Sequence, residues 1–221
     1  MDWEALLLSL RLAAWTTLLL LPLAILLART LAWSRFPGRG LLEALVTLPL
    51  VLPPTVLGYY LLMALAPDSP LGRLLGGGLA FHFSGLVVAS MVYSLPFAVQ
   101  PLLRAMEGIP RELREAAWCC GLTPWQSLLR VELPLAWPGV LSAVVLSFAH
   151  TLGEFGVVLM VGGNIPGETR TLSIAIYDKV LAFEEAAAGR MALLLLGITL
   201  LALALMQWLD RRLRVRERGH G

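Results

Sequence analysis

Five long apolar stretches dominate the chain, and nearly all of their residues are uncharged. A helix needs about 20 mostly apolar residues to cross the hydrocarbon core of a membrane. The stretches that approach or exceed this length are residues 12–28, 44–67, 84–103, 135–161 and 191–209. We therefore expect an all-α fold, a membrane bundle of five transmembrane helices that forms a single domain over residues 1–221.

The composition agrees with a membrane protein. The sequence is 58% hydrophobic and 14% charged, and its mean hydropathy is +0.78, whereas soluble domains are about 45–50% apolar and about 25% charged. These values argue against a soluble enzyme domain, a disordered chain and a nucleic-acid-binding domain. Cys119 and Cys120 are adjacent and have no histidine near them, so we expect no disulfide framework and no metal site. We also expect no catalytic residues, because the spans hold no nucleophile–base set.

Basic residues are unequally divided between the two sides of such a bundle. Twelve of the 17 Lys and Arg residues fall on one side, within residues 29–39, 104–130 and 211–218. Because cytoplasmic connectors carry an excess of Lys and Arg, this division predicts an N-terminus outside the cell and a cytoplasmic C-terminus. The stretch 171–188 contains charges and would break the alternation as a span, so we expect it to form a short helix at the outer surface.

The connector at residues 105–134 has the pattern of a folded insert. Gly121 supplies a helix stop, and Thr123 with Gln126 fits a capping box at the start of a second helix. We expect this second helix to run to about Val131. The pattern predicts two short helices at the inner surface of the membrane, and a simple amphipathic hairpin resting on the lipid headgroups is the alternative.

This insert resembles the EAA loop of ABC importer permeases. The family pattern is Glu-Ala-Ala, three residues, Gly, nine residues, Ile, one residue and Leu-Pro. The residues that fall on the pattern are Glu115, Ala116, Ala117, Gly121, Leu133 and Pro134, with Val131 in place of Ile. The resemblance implies that the insert is a coupling helix and that these residues contact a cytoplasmic ATPase.

Other stretches narrow the resemblance to the bacterial molybdate permeases of the ModB type. The stretches that carry it are residues 36–38, 48–58, 152–156 and 164–171. The resemblance implies a member of the binding-protein-dependent transport system inner membrane component family, located in the cytoplasmic membrane, through which molybdate passes. It further implies a homodimer, two copies of an ABC ATPase that hold ATP and Mg, and an extracytoplasmic molybdate-binding protein. No cofactor is expected in this subunit.

Two alternatives to a molybdate importer stay open at the level of the sequence. A sulfate/thiosulfate or tungstate permease belongs to the same class and shares much of the pattern. A self-sufficient channel or ion-coupled carrier belongs to another class. The insert at residues 105–134 favours an ABC permease over a channel or carrier, because a channel would not need a coupling insert.

Several residues inside the expected spans are candidates for the translocation path or a gate. They are Pro53, Pro54, Thr55, Ser94, Ser147, Thr151 and Glu154. Prolines break a helix, and irregular backbone at membrane depth faces protein or a cavity. Glu154 is an acid well inside an apolar span, where ionisable groups are costly and usually functional. Because a carboxylate would repel an anion, we expect a gate or an interhelical hydrogen bond, with His150 four residues earlier on the same helical face; the alternative is a residue near the outer interface that merely reaches water. The hydroxyls could simply join helices. Because no Lys or Arg lies in mid-span, we expect a weak anion path and a separate high-affinity binding protein.

Overall fold

The described part of the chain is helical. The computed structural model describes residues 1–74 and 77–218, with side chains described up to residue 210. Within those ranges there is no strand, and twelve α-helices follow in chain order: α1 (Trp3–Trp33), α2 (Arg39–Val51), α3 (Pro54–Leu65), α4 (Pro70–Leu74), α5 (Phe83–Glu107), α6 (Arg111–Cys119), α7 (Pro124–Ser127), α8 (Leu133–Leu135), α9 (Trp137–Gly153), α10 (Gly156–Gly162), α11 (Leu172–Leu181) and α12 (Glu185–Arg218). A π-helical turn, Leu128–Glu132, connects α7 to α8. The all-α prediction is confirmed, while the side chains of the basic tail at 211–218 lie outside the described residues.

Three of these helices can cross a membrane by themselves. They are α1, α5 and the part of α12 up to Asp210. Two bent pairs meet the same test together, namely α2 with α3, bent by 115°, and residues 124–135 with α9, bent by 79°. Counted as one span each, the pairs bring the number among the described residues to five, by length and composition.

The second expected span is broken by its prolines. Helix α2 ends at Val51, and both Leu52 and Pro53 adopt extended backbone before α3 begins at Pro54. A residue that precedes proline is driven out of the helical region by the proline ring, and proline has no N–H to donate. Two consecutive prolines therefore end α2 and start α3 in a new direction.

The fourth expected span, residues 135–161, is divided in the structure. Helix α9 ends at Gly153, Glu154 has extended backbone, and α10 begins at Gly156. Glycine has the lowest helix propensity apart from proline, because it loses the most backbone entropy. His150 and Glu154 therefore do not lie on one continuous helical face, which corrects that interpretation.

The core lies where α1, α5 and α9 pack against one another. Its fully buried members include Leu20, Leu102 and Ala143 from the three helices. Gly139 lets α9 approach α5 closely, since a Cβ at this position would lie 2.8 Å from the Pro101 carbonyl oxygen. Small residues at such contacts permit the close backbone approach by which membrane helices associate.

The stretch expected as one short helix at residues 171–188 is shorter in the structure. Helix α11 ends at Leu181, and Glu185 already begins the long helix α12. Phe183 has a positive φ of 58°, which interrupts the helical hydrogen bonding between the two elements. Helix α11 packs on α12 and also contacts α1.

Candidate functional site

Helices α6 and α7 form a hairpin, residues 111–127, with the stop and start signals that the sequence predicts. Gly121 has φ +79°, the left-handed conformation that glycine adopts without steric penalty. The Gln126 N–H donates to Thr123 Oγ1 at 3.3 Å, and the Thr123 N–H donates to Gln126 Oε1 at 3.0 Å. The helix stop and the capping box are therefore confirmed.

The second helix of the hairpin continues further than Val131. A π-helical turn follows α7, with the Leu133 N–H donating to the Leu128 carbonyl, and the helix then runs to Leu135. The ring of Pro134 clashes with the carbonyl four residues earlier, and Pro134 has no N–H to complete a normal turn. The widened turn is the local response to that proline.

The carboxylate of Glu132 is completely buried beneath the hairpin. Arg29 donates to it through Nε at 2.7 Å and through Nη2 at 3.1 Å, and the Ser127 hydroxyl donates to Oε1 at 3.0 Å. Arg114 Nε lies 3.8 Å from the same Oε1. A buried charge is tolerated when it is paired and hydrogen-bonded, and this one has partners from α1, α6 and α7.

Aromatic rings complete the cluster around the two arginines. The Arg114 guanidinium carbon lies 3.6 Å from the centre of the Trp33 ring and 5.2 Å from that of Trp118. Burial lowers the pKa of Arg114, and the positive charges of Arg29 and Arg111 act in the same direction, while Glu132 and Glu115 oppose it. An arginine remains charged at neutral pH despite such a shift, so the attraction to the rings persists.

The residues that match the EAA pattern divide into an exposed and a buried set. Glu115, Ala116 and Gly121 are exposed, whereas Ala117 packs inward with 7% exposure. The exposed apolar side chains around them are Leu113, Trp118 and Trp125. Leu133 is half-buried and Pro134 is exposed in α8, at the junction with α9. The hairpin thus presents small and aromatic residues together, the kind of surface that a partner can approach closely.

The hydroxyl candidates lie between α5 and α9. Ser94 and Thr151 share a hydrogen bond of 2.9 Å, and the Ser94 hydroxyl is also 3.0 Å from His150 Nδ1. The His150 ring stacks on Phe97 with centroids 4.0 Å apart. Ser147 is buried, and its hydroxyl has no hydrogen-bond partner among the described residues. The structure therefore brings two of the predicted path residues, Ser94 and Thr151, into one interhelical interface.

Pro53, Pro54 and Thr55 lie together and exposed at the break between α2 and α3. Pro54 packs against Gly156, where a Cβ would meet the proline Cβ at 2.7 Å. The break in the second span therefore adjoins the break in the fourth span.

Glu154 is buried at the second of these breaks, and its side chain caps a helix. The Val157 N–H donates to Glu154 Oε1 at 2.7 Å, which satisfies a free donor at the start of α10. The Ser173 hydroxyl donates to the Glu154 carbonyl at 2.5 Å. Glu154 thus joins α9, α10 and α11 through its backbone and its side chain.

A loop at residues 163–171 is held tightly on the side of the molecule where α10 ends. Asn164 Nδ2 donates to Asp178 Oδ2 at 2.8 Å, and Arg170 Nε donates to Asn164 Oδ1 at 2.6 Å. The Thr169 hydroxyl donates to the Gly162 carbonyl at 2.7 Å. These bonds fix the loop to α10 and α11.

The cluster of Glu132, Arg29 and Ser127 is not predicted by the sequence patterns. They indicate Arg29 only as one of the basic residues that mark the cytoplasmic side, and Glu132 only as the variable position of the EAA pattern. One signal was available, since Glu132 is an acid directly before Leu-Pro at the entry to an apolar run. Its partner Arg29 lies 103 positions away in the sequence, which no local pattern reveals.

The sequence matches one protein family and is similar to permeases for molybdenum and for sulfate. Residues 21–215 match the family described as "Binding-protein-dependent transport system inner membrane component". The chain is 51% identical over 195 residues to the molybdenum transport system permease protein ModB of Azotobacter vinelandii, with 86% of each chain covered. It is 36% identical over 199 residues to the sulfate transport system permease protein CysT of Escherichia coli (strain K12), covering 89% of this chain and 72% of the relative.

The fold also has a counterpart among solved structures. A bacterial ABC transporter involved in the import of the acidic polysaccharide alginate matches with a TM-score of 0.75 at 20% identity. The match covers 95% of this chain and 78% of that chain. At this level of identity the likeness concerns the fold.

Proposed function

The chain belongs to the binding-protein-dependent transport system inner membrane component family, and we propose that it is the permease subunit of an ABC importer for molybdate. The observation that carries the proposal is the exposed hairpin with the EAA residues Glu115, Ala116 and Gly121 on its surface. The 51% identity to a molybdenum transport permease supports molybdate as the cargo. The lower identity to a sulfate permease keeps sulfate as the second candidate.

In this proposal the hairpin docks on a cytoplasmic ATPase. Small residues at Ala116 and Gly121 let a partner groove come close, and the exposed rings of Trp118 and Trp125 supply apolar area to bury. Glu115 is exposed and able to pair with a basic side chain of the partner. Leu133 and Pro134 would carry the displacement into α9.

The proposed orientation of the chain in the membrane has the hairpin on the cytoplasmic side, where the ATPase would bind. The excess of basic residues at 29–39, 104–130 and 211–218 supports a cytoplasmic hairpin and C-terminus, with the N-terminus outside. The loop at 163–171 would then face an extracytoplasmic molybdate-binding protein. ATP and Mg would be bound by two ATPase copies, one for each chain of a homodimer, and this subunit would need no cofactor.

The path itself would bind the anion weakly. The expected spans carry no Lys or Arg in their middle, and a tight oxyanion site needs charge-assisted donors. Pro53, Pro54 and Thr55 at the first break are accessible, and the buried Glu154 at the second break would act as a gate that disfavours anion residence. The buried hydroxyls of Ser94, Ser147 and Thr151 would contribute only after the helices rearrange.

Reconstituted uptake tests the proposal. Proteoliposomes that contain the chain and its ATPase, supplied with the binding protein, should accumulate radiolabelled molybdate only with ATP inside. Excess tungstate should compete, and excess sulfate should compete less. Uptake that persists without the ATPase would support a channel or carrier instead, and stronger competition by sulfate would make sulfate the cargo.

A further inference from the structure

The attachment of the hairpin to α1 depends on side chains. Helix α1 packs on α5 and α9, but it is not closely packed against α6 or α7. The links come from Arg29 and Trp33 near the end of α1. Arg29 Nη2 donates to the Pro124 carbonyl at 3.1 Å, and Trp33 lies under the Arg114 guanidinium.

One carboxylate collects these links. Glu132 accepts hydrogen bonds from Arg29 of α1 and from Ser127 of α7, and it attracts Arg114 of α6. Its side chain is fully buried, whereas the Arg29 side chain is 24% exposed. Three elements therefore share a single charged centre, and the chain itself connects that centre through α8 to α9.

The π-helical turn brings the acid into this position. In an α-helix, residues five apart lie about 140° apart around the axis, so Ser127 and Glu132 would face different directions. In the widened turn their side chains are 3.0 Å apart. Turns of this kind occur frequently at functional sites, and here the turn aims Glu132 at Arg29.

Such a centre resists relative movement of the parts that it joins. If the hairpin shifted without α1, the Arg29 guanidinium would separate from Glu132. The buried carboxylate would then keep only the Ser127 hydroxyl and the more distant Arg114, which is unfavourable. The two-point geometry of the guanidinium on the carboxylate also opposes sliding and rotation. Movement of the hairpin and of the end of α1 is therefore favoured as one unit.

We infer that Glu132 is a positioning residue that transmits displacement of the hairpin to the cytoplasmic end of α1, so that α1 moves together with α9 during transport. This inference rests on the proposed function, because the displacement is supplied by the ATPase. The exposed EAA residues receive the partner, and the Glu132 centre makes its movement reach a second membrane helix.

The test measures molybdate uptake per ATP hydrolysed by the reconstituted complex with Glu132→Gln. The variant keeps the shape of the side chain and removes the charge that holds Arg29 and Arg114. We expect the ATPase to bind with little change in Kd and to hydrolyse ATP, while uptake per ATP falls about 10-fold, within the range typical of coupling between sites. Ser127→Ala, which removes a single hydroxyl donor, should give a smaller fall, and Arg29→Lys should give a fall smaller than Arg29→Gln.

Glu107→Gln is the matched control. Glu107 is an acid close to the hairpin in sequence, and within the described part of the chain its ion pairs are with Arg104 of α5 and Arg39 of α2. The control should keep the uptake-to-hydrolysis ratio of the unmodified chain. If Glu132→Gln takes up as much molybdate per ATP as the control does, the inference is overturned. If Glu132→Gln does not assemble, unchanged uptake per ATP in both Ser127→Ala and Arg29→Gln would overturn it instead.

The same data separate this inference from the proposed function. If the unmodified chain fails to bind the ATPase or to take up molybdate with ATP, the proposed function itself is wrong. If the unmodified complex transports and Glu132→Gln remains fully coupled, only the role of Glu132 is wrong.

Discussion

Replacement of Gly121 probes the hairpin at its most constrained point. Its φ of +79° lies in the region that costs an L-residue about 1–2 kcal/mol. A Cβ added there would meet no atom within 4 Å, so backbone strain is the whole effect and no clash confuses it. A change of that size alters an equilibrium by a factor of about 5–30.

The expected result is weaker docking of the ATPase. Gly121→Ala should raise the Kd for the ATPase by about 5-fold to 30-fold in proportion to the strain, and Gly121→Val should raise it further because a β-branched side chain restricts the backbone more. Gly121→Asn should be milder, because asparagine tolerates the left-handed region. The measurement is titration of the ATPase onto the purified chain, together with ATP-driven uptake.

Gly108 offers a matched control on the same side of the molecule. Its φ is −73°, in the ordinary helical region, and a Cβ there would lie 3.5 Å from the nearest atom, a normal contact. Gly108→Ala should therefore leave the Kd unchanged. If Gly121→Val binds the ATPase and transports as well as Gly108→Ala does, the left-handed turn at Gly121 is not needed for coupling.

Two further predictions concern orientation and the buried acid. Cys119 and Cys120 are free and exposed. A membrane-impermeant maleimide should therefore label them in inside-out vesicles without the ATPase and not in right-side-out vesicles. The opposite labelling pattern would reverse the proposed topology. Glu154→Ala removes the acceptor of the Val157 N–H and should lower stability by about 1 kcal/mol, measured as a lower Tm. Glu154→Gln keeps an acceptor oxygen and should retain the Tm but reduce uptake, whereas normal uptake in both Glu154→Gln and Glu154→Asp would remove the gate role.

Local features of the hairpin were predictable because they depend on neighbouring residues. The capping box of Thr123 and Gln126 and the left-handed Gly121 follow from the preferences of residues within one turn of each other. The positions of the apolar spans were also predictable, since length and hydropathy alone define them. These signals do not depend on how the helices pack.

Features that depend on tertiary contacts could not be obtained in this way. The fourth span is divided at Glu154. Hydrogen-bond donors from α10 and α11 bind the oxygen atoms of Glu154 and offset the cost of interrupting the helix there. The pairing of Arg29 with Glu132 joins positions far apart in the sequence. The bend of 115° between α2 and α3 places α3 against α10, a tertiary contact, whereas the prolines predict only that a bend occurs.

The junction between α2 and α3 has a mechanical consequence. The backbone hydrogen bonds at this junction each lie on one side of it: the Leu52 N–H donates to the Leu48 carbonyl, and the Val56 and Leu57 N–H groups donate to the Pro53 carbonyl. A rotation about the ψ torsion of Leu52 would therefore change the angle between α2 and α3 without breaking any of these hydrogen bonds. Gly156 lets Pro54 pack closely against the start of α10, since a Cβ there would lie 2.7 Å from the Pro54 Cβ, so α10 would have to move with α3 in such a rotation.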